Sequence, residues 1–317
     1  MPIATNSPEA EVAVADLNIY LADPTSKAAL AECRKVAESL ISTGALIVKD
    51  TRADQSANDT FLDLLESYFA QDQKALEKDL RPELGYQVGV TLEDTERPSC
   101  ISTPKCVNII SSLPASERPL DLTGHSADPK ARFFWRMTEE REKSGLKGMG
   151  MHEASNVVPE AFEGVWKEKM EGWGGRMKSA CVVRAGSGLP NRLHIWARNT
   201  GKKMPVKVPD GCLLVQAGKQ LEWFSGGLVK AGYHEVVCTE GTLKAMEKFK
   251  AETPERPLWR ISSTFFYHLS PDYELHALPP LKAEAEKRFG PQDEYGSMSV
   301  ANQVKRELGL IALVVEE

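Results

Sequence analysis

Two places in this sequence gather side chains suited to binding or transforming a small molecule. His234 stands at the head of an alternating run, residues 233–238, just behind Ala231-Gly232. Arg260 and Ser262 form an R-x-S pair in a second run, residues 259–269. In an extended chain residues i and i+2 share a face, so the guanidinium and the hydroxyl would point the same way. An arginine fork can grip a carboxylate through two hydrogen bonds, and a serine can add a third. The plainer reading of the pair is a salt-bridged strand arginine beside a structural serine. The other histidines offer less. His125 lies in a polar loop, His268 and His276 flank the turn Ser270-Pro271-Asp272, and His194 alternates with Leu193 and Ile195 as an outward strand residue. There is no G-x-G-x-x-G, Walker A loop, G-x-S-x-G elbow or H-E-x-x-H.

The elements that must position these groups follow from periodicity. Residues 17–21 read as a short extended entry. Ser26 is a helix N-cap, Leu30, Cys33, Val36, Ala37, Leu40 and Ile41 recur at helical spacing, and Gly44 stops that helix. Residues 45–48 are a buried strand. A second helix carries Phe61, Leu64, Leu65, Tyr68 and Phe69 on one face. Residues 81–150 read as ordered loops with short strands, and the run Arg132-Phe133-Phe134-Trp135-Arg136 is their one strong apolar knot. A third helix spans about 160–181, with Trp166, Met170, Trp173 and Met177 in its stripe. Beyond Gly188 the period changes to alternation. Strands are expected at 193–196, 206–208, 212–216, 220–224, 233–238 and 259–269, interrupted by a helix over 242–252. Helices return at 281–289 and 299–308, and 311–315 has the composition of a late strand.

Composition sets the outer bounds. The chain has 317 residues, 42% hydrophobic and 26% charged, which is ample for a core without staples. Its 39 basic and 45 acidic residues give a net charge of −6, against a broadly basic nucleic-acid or membrane surface. No apolar run nears the ~18 residues of a membrane span, and the N-terminus has no basic region of a secretory signal. The six cysteines, none in a C-x-x-C pair, read as reduced thiols of a cytoplasmic protein.

The stretch VPDGCLLVQAGKQLEWFSGGLVKAGYHEVV, followed by LWRISSTFFYHLSPD, resembles the C-terminal half of the isopenicillin N synthase-like family. These are 2-oxoglutarate- and Fe(II)-dependent oxygenases. AECRKVAESLISTGALIVKD is similar to the family's N-terminal region. The likeness runs from about Asp16 to Leu281. It implies an α+β chain built on a double-stranded β-helix (jelly roll) with flanking N- and C-terminal helices. It divides the chain into an N-terminal dioxygenase-like region (1–150), the β-helix core (151–280) and a C-terminal helical extension (281–317). By the same resemblance His234 is the distal iron ligand, and Arg260 and Ser262 hold the far carboxylate of 2-oxoglutarate. The implied cofactors are Fe(II) and 2-oxoglutarate, and the partner is a small organic substrate that is hydroxylated or desaturated.

The sequence departs from this family at one point. The other two iron ligands come as H-x-D or H-x-E, and no histidine in the chain has an acid two residues on. The third helix passes within about ten residues to the downstream strand, so the β-core is expected to be shortened near 182–188, with its early strands missing. Two functions follow. One is an oxygenase of small organic molecules. The other is a non-catalytic paralogue or truncated isoform that binds a carboxylate or a partner.

Overall fold

The computed structural model describes residues 11–52, 55–99, 104–115, 118, 127–137, 150–180, 192–198, 200–237, 240–292 and 294–313. In chain order the elements begin β1 (Val14–Asp16), α1 (Leu17–Ala22), α2 (Lys27–Thr43), β2 (Ala45–Lys49), α3 (Gln55–Phe69) and α4 (Gln73–Glu77). They continue with β3 (Gly89–Thr91), α5 (Pro104–Ser112), β4 (Arg132–Phe134), α6 (Gly150–Glu153) and α7 (Trp166–Ala180). Then come β5 (Arg192–Trp196), β6 (Lys203–Val206), β7 (Cys212–Gln216), α8 (Lys219–Phe224), β8 (His234–Val237) and α9 (Glu240–Glu252). The last are β9 (Glu274–Leu275), α10 (Pro279–Phe289), β10 (Met298–Ser299) and α11 (Val300–Leu310). Two compact units result, residues 1–56, 180–266 and 276–296, and residues 57–179, 267–275 and 297–317. Each draws on all three consecutive regions named above.

The first unit is layered. Ser26 caps α2 by accepting from the Ala29 N–H at 3.1 Å, and Gly44 ends it in the left-handed region at φ 74°. That turn delivers β2, which pairs in parallel with β1 and antiparallel with β7, Ala45 opposite Gln216. One side of this sheet (Ala15, Leu46, Val48) packs on Val36 and Leu40 of α2. The other side (Ala45, Ile47, Cys212, Leu214) packs on Ile195 and Val206 of a second sheet, ordered β6-β5-β8. The apolar residues of both layers leave water together, about 1.5–3 kcal/mol for each large side chain fully buried.

The second unit has an aromatic centre. Tyr68 of α3 and Trp166 of α7 are fully buried, 4.9 Å apart between ring centroids, and Phe133 of β4 meets Trp166 edge-on at 4.8 Å. The apolar knot thus becomes β4, paired antiparallel with β3, Val90 opposite Phe133.

Several expected elements differ. Residues 17–21 are helical, because the Asp16 side chain caps them by accepting from the Asn18 N–H at 3.0 Å. Residues 104–112 form α5 where loops were expected. Residues 220–224 are helix α8, not strand: five alternating residues fit either period, and the helix lets Glu222 turn inward. The 206–208 strand lies earlier, as β6. Residues 259–269 form no strand beyond a one-residue bridge at Ser263. Residues 311–313 are a turn after α11. Cys33 is a free thiol, whereas Cys106 is disulfide-bonded, since spacing alone carries no pairing information. Residues 182–188, 314 and 315, with His125, Cys100, Cys181 and Cys238, lie outside the described residues.

Candidate functional site

The approach to His234 is fixed by an unusually well-anchored loop. The Glu222 carboxylate is buried on α8, accepts from the Ala231 N–H at 2.7 Å and from the Tyr295 hydroxyl at 3.1 Å, and lies 3.3 Å from the Lys219 ammonium. Burial, then the Glu222 charge, pushes the Tyr295 hydroxyl pKa up. The intervening turn needs Gly226 and Gly227, at φ 60° and 82°; a Cβ on Gly227 would sit 2.6 Å from the Tyr295 ring. Gly232 then donates to the Ala217 carbonyl at 2.9 Å, and the chain enters β8.

Register settles which way the β8 side chains face. His234 is directly opposite Ile195, whose side chain is in the core shared by the two sheets. Directly opposed residues lie on one face, so His234 shares the Ile195 face, and on the edge strand β8 it is exposed there. Glu235 is opposite His194, and both belong to the other face, where Glu235 pairs with a largely buried Lys203. His152 is on α6 in the second unit, where burial and then the Arg136 charge lower its pKa.

These residues do not fit an Fe(II) triad. Among the described residues no three His, Cys, Asp or Glu side chains are grouped to hold a metal ion. The neighbours of His234 in the ladder, Glu235 and His194, are on the opposite face from it.

Arg260 is half-buried in the irregular stretch between α9 and β9. Among the described residues it has no ion pair and no hydrogen bond, and burial alone lowers its pKa from the ordinary arginine value. Ser262 is exposed, while the neighbouring Ser263 is buried. Spacing did not mark three further polar groups. They are Glu222, whose signal was hidden in a run read as strand, Gln216, which only closes the 212–216 run, and Arg198, which lies outside any run.

The sequence matches no protein-family model and no curated protein. Solved structures do match in fold. A Caulobacter crescentus protein provisionally assigned to the 2OG-Fe(II) oxygenase family superposes with a TM-score of 0.61 at 19% identity, covering 94% of this chain and 98% of its own. A full-length Neurospora crassa protein, solved in complex with alpha-KG and thymine, gives 0.59 at 13% identity, covering 93% and 96%. The chain has the fold of the 2OG-Fe(II) oxygenases. A rice dioxygenase for auxin oxidation gives 0.51 at 13% identity, covering 95% of each chain. The family resemblance read from the sequence is therefore matched at the level of the fold. No described helix is long and apolar enough to cross a membrane.

Proposed function

We propose that this chain is a 2-oxoglutarate/Fe(II) oxygenase by descent, on a shortened double-stranded β-helix, and that its residues retain the cosubstrate-binding half of that function. It binds a small dicarboxylic acid of the 2-oxoglutarate class through Arg260, with Ser262 as a second donor. The observation that carries this reading is a half-buried guanidinium with no acceptor of its own among the described residues. A desolvated cation of that kind gains most from an external carboxylate, by roughly 1.5–3 kcal/mol for a charge-assisted contact. The Neurospora crassa protein, similar in fold, was solved with alpha-KG bound, which supports the ligand class. Calorimetry with 2-oxoglutarate on the wild type and Arg260→Ala tests it. The expected loss in the variant is roughly 10- to 100-fold. Equal binding by both proteins removes Arg260 from the site.

A second reading, oxidation of a small organic substrate, is favoured by the end-to-end likeness to solved oxygenases. A facial triad needs two histidines and a carboxylate, and His234 is the one matching ligand. Weak Fe(II) binding and no succinate release are expected after anaerobic reconstitution. Stoichiometric iron with succinate release that depends on His234 would establish the second reading instead.

A further inference from the structure

We propose that the mouth of the first unit, where β5 and β7 end and β8 begins, is a carboxylate-binding site formed by Arg198 and Gln216. It is separate from Arg260 and goes beyond the reading above. Gln216 closes β7 two residues after Leu214, so its side chain belongs to the inner face that Leu214 shares with Ile195. Arg198 follows the end of β5 by two residues, with its guanidinium 5.2 Å from the centroid of the Tyr233 ring.

Both side chains pack against the junction of Gly44 and Gly232. A Cβ on Gly44 would lie 3.1 Å from the Gly232 Cα and 3.2 Å from the Arg198 Cγ. A Cβ on Gly232 would lie 2.7 Å from the Gln216 Nε2. A side chain at either glycine would collide with the amide or the arginine stem, so the absence of a Cβ at both lets Arg198 and Gln216 pack against this junction. The backbone there is already satisfied, Gly44 O accepting from Ala217 N and Gly232 N donating to Ala217 O, each at 2.9 Å.

The decisive feature is that Arg198 Nε and Gln216 Nε2 are both buried donors without a hydrogen-bond partner. Buried donors in native proteins ordinarily have acceptors, so two beside one junction ask for a shared one. A water could accept from both but would leave the guanidinium charge unanswered. Among the described residues no carboxylate forms an ion pair with Arg198, and the neighbouring Glu222 is occupied by Ala231, Tyr295 and Lys219. A carboxylate supplies two acceptor oxygens and one negative charge, which matches an arginine edge beside an amide.

Acetate titration of the isotopically labelled full chain, followed by NMR at the Arg198 Nε–H and the Gln216 side-chain amide, tests the site. Saturable shifts at both groups are expected, unchanged in Arg260→Ala. Gln216→Leu should weaken acetate binding roughly tenfold, about one lost hydrogen bond. Arg198→Met should abolish the saturable shift at Gln216; if it fails to fold, the wild-type, Gln216→Leu and Arg260→Ala titrations still decide. Three results overturn the proposal: no saturable shift at either group, shifts that vanish in Arg260→Ala, or equal shifts with chloride at the same concentration. The second would show that the carboxylate sits at Arg260, and the third that the mouth takes any small anion.

Discussion

Arg136 and Arg260 are both partly buried arginines beside aromatic residues, and they differ in what answers them. Arg136, in the second unit, donates through Nη1 to the Ala154 carbonyl at 3.0 Å and through Nη2 to the Met151 carbonyl. Asn156 fastens its backbone in both directions, at 2.7 and 2.8 Å. Burial lowers the pKa of both guanidinium groups, and only Arg136 has a carboxylate, Glu153, acting against that shift. A desolvated cation that brings its acceptors with it is part of the framework. One without acceptors among the described residues is open to a ligand.

The largest expected effect breaks the two apart by stability. Arg136→Met leaves two carbonyls without donors, and roughly 2–4 kcal/mol of unfolding free energy should be lost. Arg260→Met removes no internal bond, and the change should stay within about 0.5 kcal/mol. Scanning calorimetry on both variants makes the comparison. Should Arg260→Met fall as far as Arg136→Met, Arg260 is structural and the contrast fails.

Much of the framework could be read before any coordinates. Residues 45–48 and 212–216 are continuous apolar runs, and both become strands buried between layers. The Ser26 and Gly44 caps mark α2 to within a residue. Residues 233–238 and 259–269 carried equally good alternation, yet among the described residues only the first became a ladder, because β5 lies beside it. Alternation reports a strand's faces and says nothing about whether a neighbour exists. The site was legible in the same uneven way. The phase of His234 against Glu235 follows from a period of two, and register bears it out. The partnerless state of Arg260, Arg198 Nε and Gln216 Nε2 depends on what lies around them in space, which no local pattern encodes.

Glu222 is the acceptor-rich counterpart of those donors, and removing it sharpens the contrast at intermediate scale. Glu222→Ala leaves the Ala231 N–H without its acceptor and frees the Tyr295 hydroxyl. A loss of roughly 2–3 kcal/mol is expected from urea denaturation. Glu222→Gln keeps one acceptor oxygen and should lose about half as much. Equal losses would mean that the charge, through Lys219, outweighs the hydrogen bonds.

The smallest effect concerns Asp79, a buried acid of the second unit, and it is visible only as a pH dependence. Burial raises its pKa above 3.8; the Tyr68 hydroxyl, 2.9 Å away, and then the charges of Arg81 and Lys78 pull in the other direction without prevailing. A carboxyl with a raised folded-state pKa holds its proton more tightly when folded than when unfolded. Its contribution is therefore fully present below 3.8 and is lost as pH rises through the folded-state value. Asp79→Asn keeps an acceptor for Tyr68 and cannot ionise. The stability gap should accordingly move in favour of the variant as pH is raised from below 3.8, with the two proteins otherwise running in parallel. Urea midpoints across that range test it, and a gap that moves toward the wild type instead would mean that Arg81 and Lys78, rather than burial, govern this acid.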